Sequence, residues 1–202
     1  MQLLMASEEN TQSENKNQPI DLLEKSLKSR RIFLSEDINM KSAKKVIDHL
    51  FLLEQDDPDK PIYFFINSPG GEVNSGLAIY DVMNFIKPQI YTIACGLVAS
   101  IASIIYIQPP KERRFSLQFA EFLLHQPMIG GMQGSASELE IHAKQILKTR
   151  KQLNALIAEK TGQELAKVEK NTNRDFWMDV QESIDYGLVG KLIRSAEELP
   201  VK

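Results

Sequence analysis

The stretch from Ile62 to Cys95 constrains the fold of this chain more than any other. Ile62-Tyr-Phe-Phe-Ile66 is an unbroken apolar run of strand formers, and Ile90-Tyr-Thr-Ile-Ala-Cys95 is a second. Strands buried on both faces read this way, without polar alternation. Between them lie a turn, Asn67-Ser-Pro-Gly-Gly71, and a segment from Gly76 to Ile86 with helical apolar spacing through Leu77, Tyr80, Met83, Phe85 and Ile86. Strand, helix and strand joined by short connections imply right-handed parallel crossovers, and so an α/β fold.

The same alternation extends both ways. Arg31-Ile-Phe-Leu34 reads as a strand, and residues 43, 46, 47, 50 and 53 mark a helix capped by Asn39. A helix from about Ser100 to Ile107 follows the second buried strand, and Phe115-Ser-Leu117 and Glu121-Phe-Leu-Leu124 are further short strands. Ser135 to Lys160 then runs almost without a breaker. Its Leu139, Ala143, Ile146, Leu147, Leu153, Leu156 and Ile157 form an apolar stripe on a helix of roughly 39 Å, longer than a small domain needs. Such a helix reaches past its own core toward a partner subunit. Thr161-Gly162 ends it, and a short helix is expected over Glu164 to Lys170. Asp179-Val-Gln-Glu182 has capping-box spacing before another short helix, and Leu188 to Ile193 reads as a terminal strand.

The chain has 202 residues, of which 43% are hydrophobic, enough for one core and too few for two ordinary domains. Residues 20–202 are therefore read as a single domain that opens with a short helix over 20–30. Residues 1–19, polar from Ala6 to Pro19, are expected to be disordered or a removed leader. A formal charge of -3 without a basic tract argues against nucleic acid as a partner. No apolar run is long enough to span a membrane, and no signal peptide stands out. The single cysteine, Cys95, excludes an internal disulfide and fits a reducing compartment, so a cytoplasmic location is expected. No metal-ligand spacing and no phosphate loop is present, and no cofactor is called for.

Residues from four separate stretches converge on acyl-transfer chemistry. Ser100 stands after Gly96-Leu-Val-Ala99 at a strand-to-helix junction, where a hydroxyl is exposed and helix amides face developing negative charge. His125 follows an apolar strand and precedes Gln126-Pro127, whose ring fixes the exit of the chain. An imidazole is the side chain that best exchanges a proton near neutrality. Asp175, beside Phe176-Trp177, is placed to orient His125 while a large apolar group shields it. The amides of Gly71 and Ile101 are candidate donors to an oxyanion. Taken singly, Ser100 reads as a helix cap, Gly70-Gly71 as a turn and Asp175 as a helix-end acid. His49 and His142 lie within amphipathic helices as surface or interface groups, and Cys95 reads as a structural thiol.

At these residues the chain resembles the Clp protease proteolytic subunit (ClpP) family. The resemblance runs from about Arg31 to Ile193 and includes Ile66-Asn-Ser-Pro-Gly-Gly71, His125-Gln-Pro127, Glu140-Ile-His-Ala-Lys-Gln-Ile-Leu147, Thr161-Gly-Gln163 and Tyr186-Gly-Leu188. It implies the crotonase-like fold, with stacked parallel sheets, βαβ units and a projecting handle helix over about 135–160. It implies Ser100 as nucleophile, His125 as base and Asp175 as orienting acid. Two stacked heptameric rings would enclose a chamber fed with unfolded protein chains by a hexameric AAA+ unfoldase. Gly70 and a strand through Met128, Ile129, Gly130, Gly131 and Met132 would flank the bound peptide. Tyr63, Phe65, Phe85 and Ile193 would receive ATPase loops, and Arg174 and Gln133 would contact the opposite ring.

The chain departs from the family pattern at Ala102, around Gln108 to Glu112, at Glu121, by one extra residue within 128–134, and at Asn173 before Arg174. None of these removes a catalytic group. They point to a divergent paralogue whose ring is built of this chain alone or mixed with a paralogous subunit. Two other readings compete with an active serine endopeptidase. One is the acyl-CoA hydratase or isomerase branch of the same fold, which works with acids and against which the Ser/His/Asp set argues. The other is a silent or partner-dependent ring subunit.

Overall fold

The computed structural model describes residue 25 and residues 28–128, 130, 131 and 133–200. The polar segment before residue 20 and most of the expected helix over 20–30 lie outside the described residues. So do Ile129 and Met132.

Three parallel strands form the heart of the molecule: β1 (Arg31–Leu34), β2 (Ile62–Ser68) and β3 (Ile90–Ala99). Helix α1 (Met40–Asp56) crosses from β1 to β2, and α2 (Val73–Phe85) crosses from β2 to β3. Asn39 caps α1 by accepting from the amides of Lys41 and Ser42, and the Ser42 hydroxyl accepts from Asn39 N–H in return. Ala43, Val46, Leu50 and Leu53 then face the sheet at helical spacing. On β2 the period is two. Ile62, Phe64 and Ile66 are buried, while Tyr63 and Phe65 are half-buried on the other face.

β3 is longer than its apolar run implied, and it serves two neighbours. Residues 92–94 pair with β4 (Arg114–Ser116), and residues 97–99 pair with β5 (Glu121–Leu124). The hydrogen-bonded order is β1-β2-β3-β4-β7, with β7 at Lys191–Leu192 and every pair parallel. A branch leaves β3 through β5 to β6 (Phe176–Met178), and that last pair is antiparallel. The stacked sheets thus share one strand and form a continuous seven-stranded network. Gly96, at φ 77°, lies between the two pairing segments of β3 and lets the strand change partners without ending.

Helix α3 (Ile101–Tyr106) follows β3 directly, and all six of its residues are buried. The long helix α4 (Ala136–Thr161) matches its expected span, with Ser135 and Glu138 as its capping box and Gly162 as its left-handed C-cap. Its buried residues, Leu153, Asn154 and Ile157, all lie toward its C-terminal end. Leu139, Ala143 and Leu147 leave an exposed apolar stripe on its N-terminal half, and Ile141 is exposed on another face. Helices α5 (Leu165–Asn171) and α6 (Val180–Tyr186) follow. The expected terminal strand is shorter than 188–193, because Leu188 and Val189 are buried in the turn after α6 and only Lys191 and Leu192 reach the sheet.

Arg114 shows how the pieces are tied together. It is buried on β4, donates from Nε to the Pro109 carbonyl (2.7 Å), and donates from Nη1 to the carbonyls of Lys160 (2.9 Å) and Gly187 (3.3 Å). Those carbonyls end α4 and α6, where the helix dipoles are negative. Burial pulls the guanidinium down to about 10, so it keeps its charge at neutral pH.

Candidate active site

Ser100 occupies the single residue between β3 and α3, at φ 56° and ψ -127°. Glycine tolerates that conformation far better than serine does. The turn is enforced from both sides. The Ser100 amide donates to the Leu123 carbonyl (2.9 Å), extending the β3–β5 pairing by one bond. The buried Ser103 hydroxyl lies 3.0 Å from the Val98 carbonyl and 3.2 Å from that of Leu123. The chain therefore leaves the strand and enters the helix at Ser100 without an intervening loop.

Gly70 backs directly onto this turn. A Cβ there would stand 2.7 Å from Ser100 Cβ and 2.8 Å from the Ala99 carbonyl oxygen. Gly71 forms a parallel bridge to Ile38 in which Ile38 N–H donates to the Gly70 carbonyl and Glu72 N–H donates to the Ile38 carbonyl, both at 2.8 Å. That pattern uses the flanking groups and turns Gly71's own N–H away from Ile38. Ile101 is the first residue of α3, so its N–H has no acceptor inside the helix. Among the described residues, neither amide donates a hydrogen bond.

His125 follows β5, and Asp175 precedes β6. The antiparallel register pairs Leu123 with Trp177 and Leu124 with Phe176, so the next pair outward is His125 with Asp175. His125 Nδ1 lies 3.2 Å from Asp175 Oδ1. The three-residue strand β6 is what closes a gap of fifty residues in sequence. It was not expected from the sequence.

The loop carrying Asp175 has further ties. Gln126 donates from its amide to the Thr172 carbonyl (2.7 Å) and from Nε2 to the Asn173 carbonyl (3.0 Å). Arg150 on α4 reaches Asn173 Oδ1 at 3.4 Å.

Two expectations need correction here. Asp175 is not shielded: its side chain is 64% exposed, against 14% for His125. Neighbouring strand residues point to opposite faces, and Phe176 turns away to pack on Tyr186, with ring centroids 5.5 Å apart. No strand forms at Met128, Gly130 or Gly131. Pro127 precedes them, Gly131 sits at φ 46°, and no atom lies within 4 Å of where a Cβ would stand on either glycine. Among the described residues, no strand pairs with this segment.

Ser100 and His125 line one small cavity, walled by Ile101, Ile104, Leu124 and Asn154. Among the described residues no hydrogen bond joins the Ser100 hydroxyl to His125. Outside this cavity, a cleft of about 700 Å³ runs past His125, Pro127, Met128, Arg174 and Asp175. Gln133 is exposed beside it in sequence, at the foot of α4.

The four expected docking positions do not share one environment. Phe85 is 79% exposed and meets Phe51 edge-on, with centroids 6.5 Å apart. Tyr63 and Phe65 are half-buried. Ile193 is 2% exposed and is not at the surface. It lies in a cluster with Ile93, Phe115 and Leu199, where the C-terminal segment covers it and the Tyr63 hydroxyl donates to the Pro200 carbonyl.

Among the described residues, no group of three or more His, Cys, Asp or Glu side chains is placed to hold a metal ion, and no helix is long and apolar enough to cross a membrane. Cys95 is half-buried, and burial raises its thiol above the usual range.

A branched α/β sheet with a serine at a strained strand-to-helix turn, sharing a cavity with a histidine that pairs with an aspartate, defines a candidate serine-hydrolase site. The family model for Clp protease matches residues 13–196, and the chain belongs to that family. It is 44% identical over 197 residues to the ATP-dependent Clp protease proteolytic subunit 2 of Treponema denticola, covering 97% of this chain and 98% of that one. It is 45% identical over 179 residues to the protein of the same name from Treponema pallidum, covering 89% of each.

Proposed function

We propose that this chain is a serine-type endopeptidase subunit of a Clp-type assembly. The observation that carries this reading is the register that sets His125, which lines the same cavity as Ser100, on Asp175. With Nδ1–H directed to Asp175, Nε2 is the lone-pair nitrogen and serves Ser100 as base. The Ser100 oxygen attacks the peptide carbonyl carbon as its proton passes to His125. The carbonyl oxygen becomes an oxyanion held by the amides of Gly71 and Ile101, each worth about 10²-fold to 10³-fold in rate. Collapse of the intermediate breaks the C–N bond, and His125 returns the proton to the leaving amine. Water, activated by the same imidazole, then releases the acyl group from Ser100.

The rest of the reading concerns company. The exposed apolar stripe of α4 is the face on which a second ring packs, giving two stacked heptamers that act in the cytoplasm. Arg174 and Gln133 stand at that junction, and the cleft beside Met128 and Gly130 receives the extended substrate. A hexameric ATPase delivers unfolded chains and docks near Phe85. The lack of a Ser100–His125 hydrogen bond in the lone chain favours a second reading, in which the site closes only in an assembled ring, of one chain type or mixed.

The test is native mass together with labelling by an organophosphonate, with and without a candidate paralogous subunit. Label on Ser100 that disappears in Ser100→Ala supports the reading, and label that persists refutes the nucleophile. Activity in a ring of this chain alone rules out dependence on a second subunit.

A further inference from the structure

Asn154 is an anomaly in α4. It sits between Leu153 and Ile157 on the buried face of the helix and is itself only 3% exposed. A leucine there would continue the apolar stripe and avoid the cost of burying an amide. Its Oδ1 lies 3.0 Å from the hydroxyl of Thr172, which is fully buried and also lies 2.9 Å from the Val168 carbonyl. The single hydroxyl proton is shared between these two acceptors. Among the described residues no hydrogen bond uses Asn154 Nδ2, and the residue lines the cavity that holds Ser100 and His125.

Thr172 is the junction. Its amide donates to Val168 and ends α5, its carbonyl accepts from Gln126 N–H, and Asp175 follows three residues on. Arg150, one turn before Asn154 on the same face of α4, holds the next residue, Asn173. The loop bearing the exposed Asp175 is thus fixed from inside by α4 and from the side by Gln126.

We propose that Asn154 is a positioning residue that sets the His125–Asp175 contact by holding Thr172. This rests on the peptidase reading above. The polar pair converts the position of a helix into the position of a carboxylate, and a packed leucine would leave that carboxylate to its solvent-exposed loop. A misplacement of about 1 Å at such a pair is worth up to about 10²-fold in rate.

The experiment uses the full-length protein in its assembled form, with a short fluorogenic peptide as substrate. Asn154→Leu and Thr172→Val each remove the polar contact at nearly constant volume, while Thr172→Ser keeps the hydroxyl. The expected result is a fall in kcat of about 10-fold to 100-fold for both apolar variants, KM within about twofold, unchanged native mass, and Thr172→Ser close to the parent. A second arm reads geometry without activity: a crystal structure of Thr172→Val in which His125 Nδ1 and Asp175 Oδ1 have moved beyond hydrogen-bond reach. Parent kcat in a folded apolar variant, or an unchanged His125–Asp175 contact, overturns the proposal. Failure of the peptidase reading is separate and shows as hydrolysis or labelling that survives Ser100→Ala, while the crystallographic arm still judges Asn154.

Discussion

The two sides of the site are built differently. Ser100 is held by the core: β3 pairs on both edges, α3 is buried, and Gly70 fills the space behind the turn. His125 and Asp175 hang at the end of a three-residue antiparallel pairing, with Asp175 largely in solvent and its loop held by side-chain hydrogen bonds. Ser100 is fixed by backbone and packing, which cannot move without disturbing the fold. His125 and Asp175 are fixed by a few polar contacts, each worth about 1 kcal/mol net. The first side sets whether the chain folds. The second sets whether the folded chain is poised to react.

That contrast is best broken at Asp175. Asp175→Ala should cost about 10³-fold to 10⁴-fold in kcat, because His125 loses the group that fixes its tautomer. Its thermal midpoint should stay within about 2 °C of the parent, since the carboxylate is exposed and a solvent-facing polar contact contributes little to stability. A large fall in stability would mean that the acid holds the fold as well. Next in size is Gly70→Ala, which should lose both properties. The added methyl meets Ser100 Cβ at 2.7 Å on a backbone at φ 95°. Destabilisation of about 3 kcal/mol or more in denaturant unfolding, together with loss of organophosphonate labelling, is the expected outcome. Smallest in its effect on stability is Ser100→Gly, which removes the proposed nucleophile and relieves the turn. Calorimetry should show a gain of about 1 kcal/mol while hydrolysis disappears, and a loss of stability would show that the turn is unstrained.

Much of this division was legible in the residues. The unbroken runs of β2 and β3, the helical spacing of α1 and the breaker-free length of α4 are each long enough to carry a period. The Ser100 turn, the glycines before it and His125-Gln-Pro127 carry local chemistry that sequence reveals directly. The features without a sequence signal are short or remote. β6 has three residues and no periodicity, yet its register with β5 carries Asp175 to His125. β3 continues past Gly96 because two partner strands claim it, a fact of tertiary pairing. Adjacency in sequence suggests that Phe176 shields Asp175, but adjacent residues of a strand face opposite ways. Ile193 went to the core because Leu199, six residues later, folds back over it. Asn154 left a trace that could have been followed: one amide in an otherwise apolar helical face.

The dihedral angles of Ser100 carry a consequence for inheritance. The fold offers that position to glycine and holds a serine in it at a penalty. In a lineage that needed only the shape of this subunit, mutation toward glycine would be welcomed by thermodynamics and unopposed by selection. A serine that persists across descendants is then a record of use, kept because the reaction is still wanted.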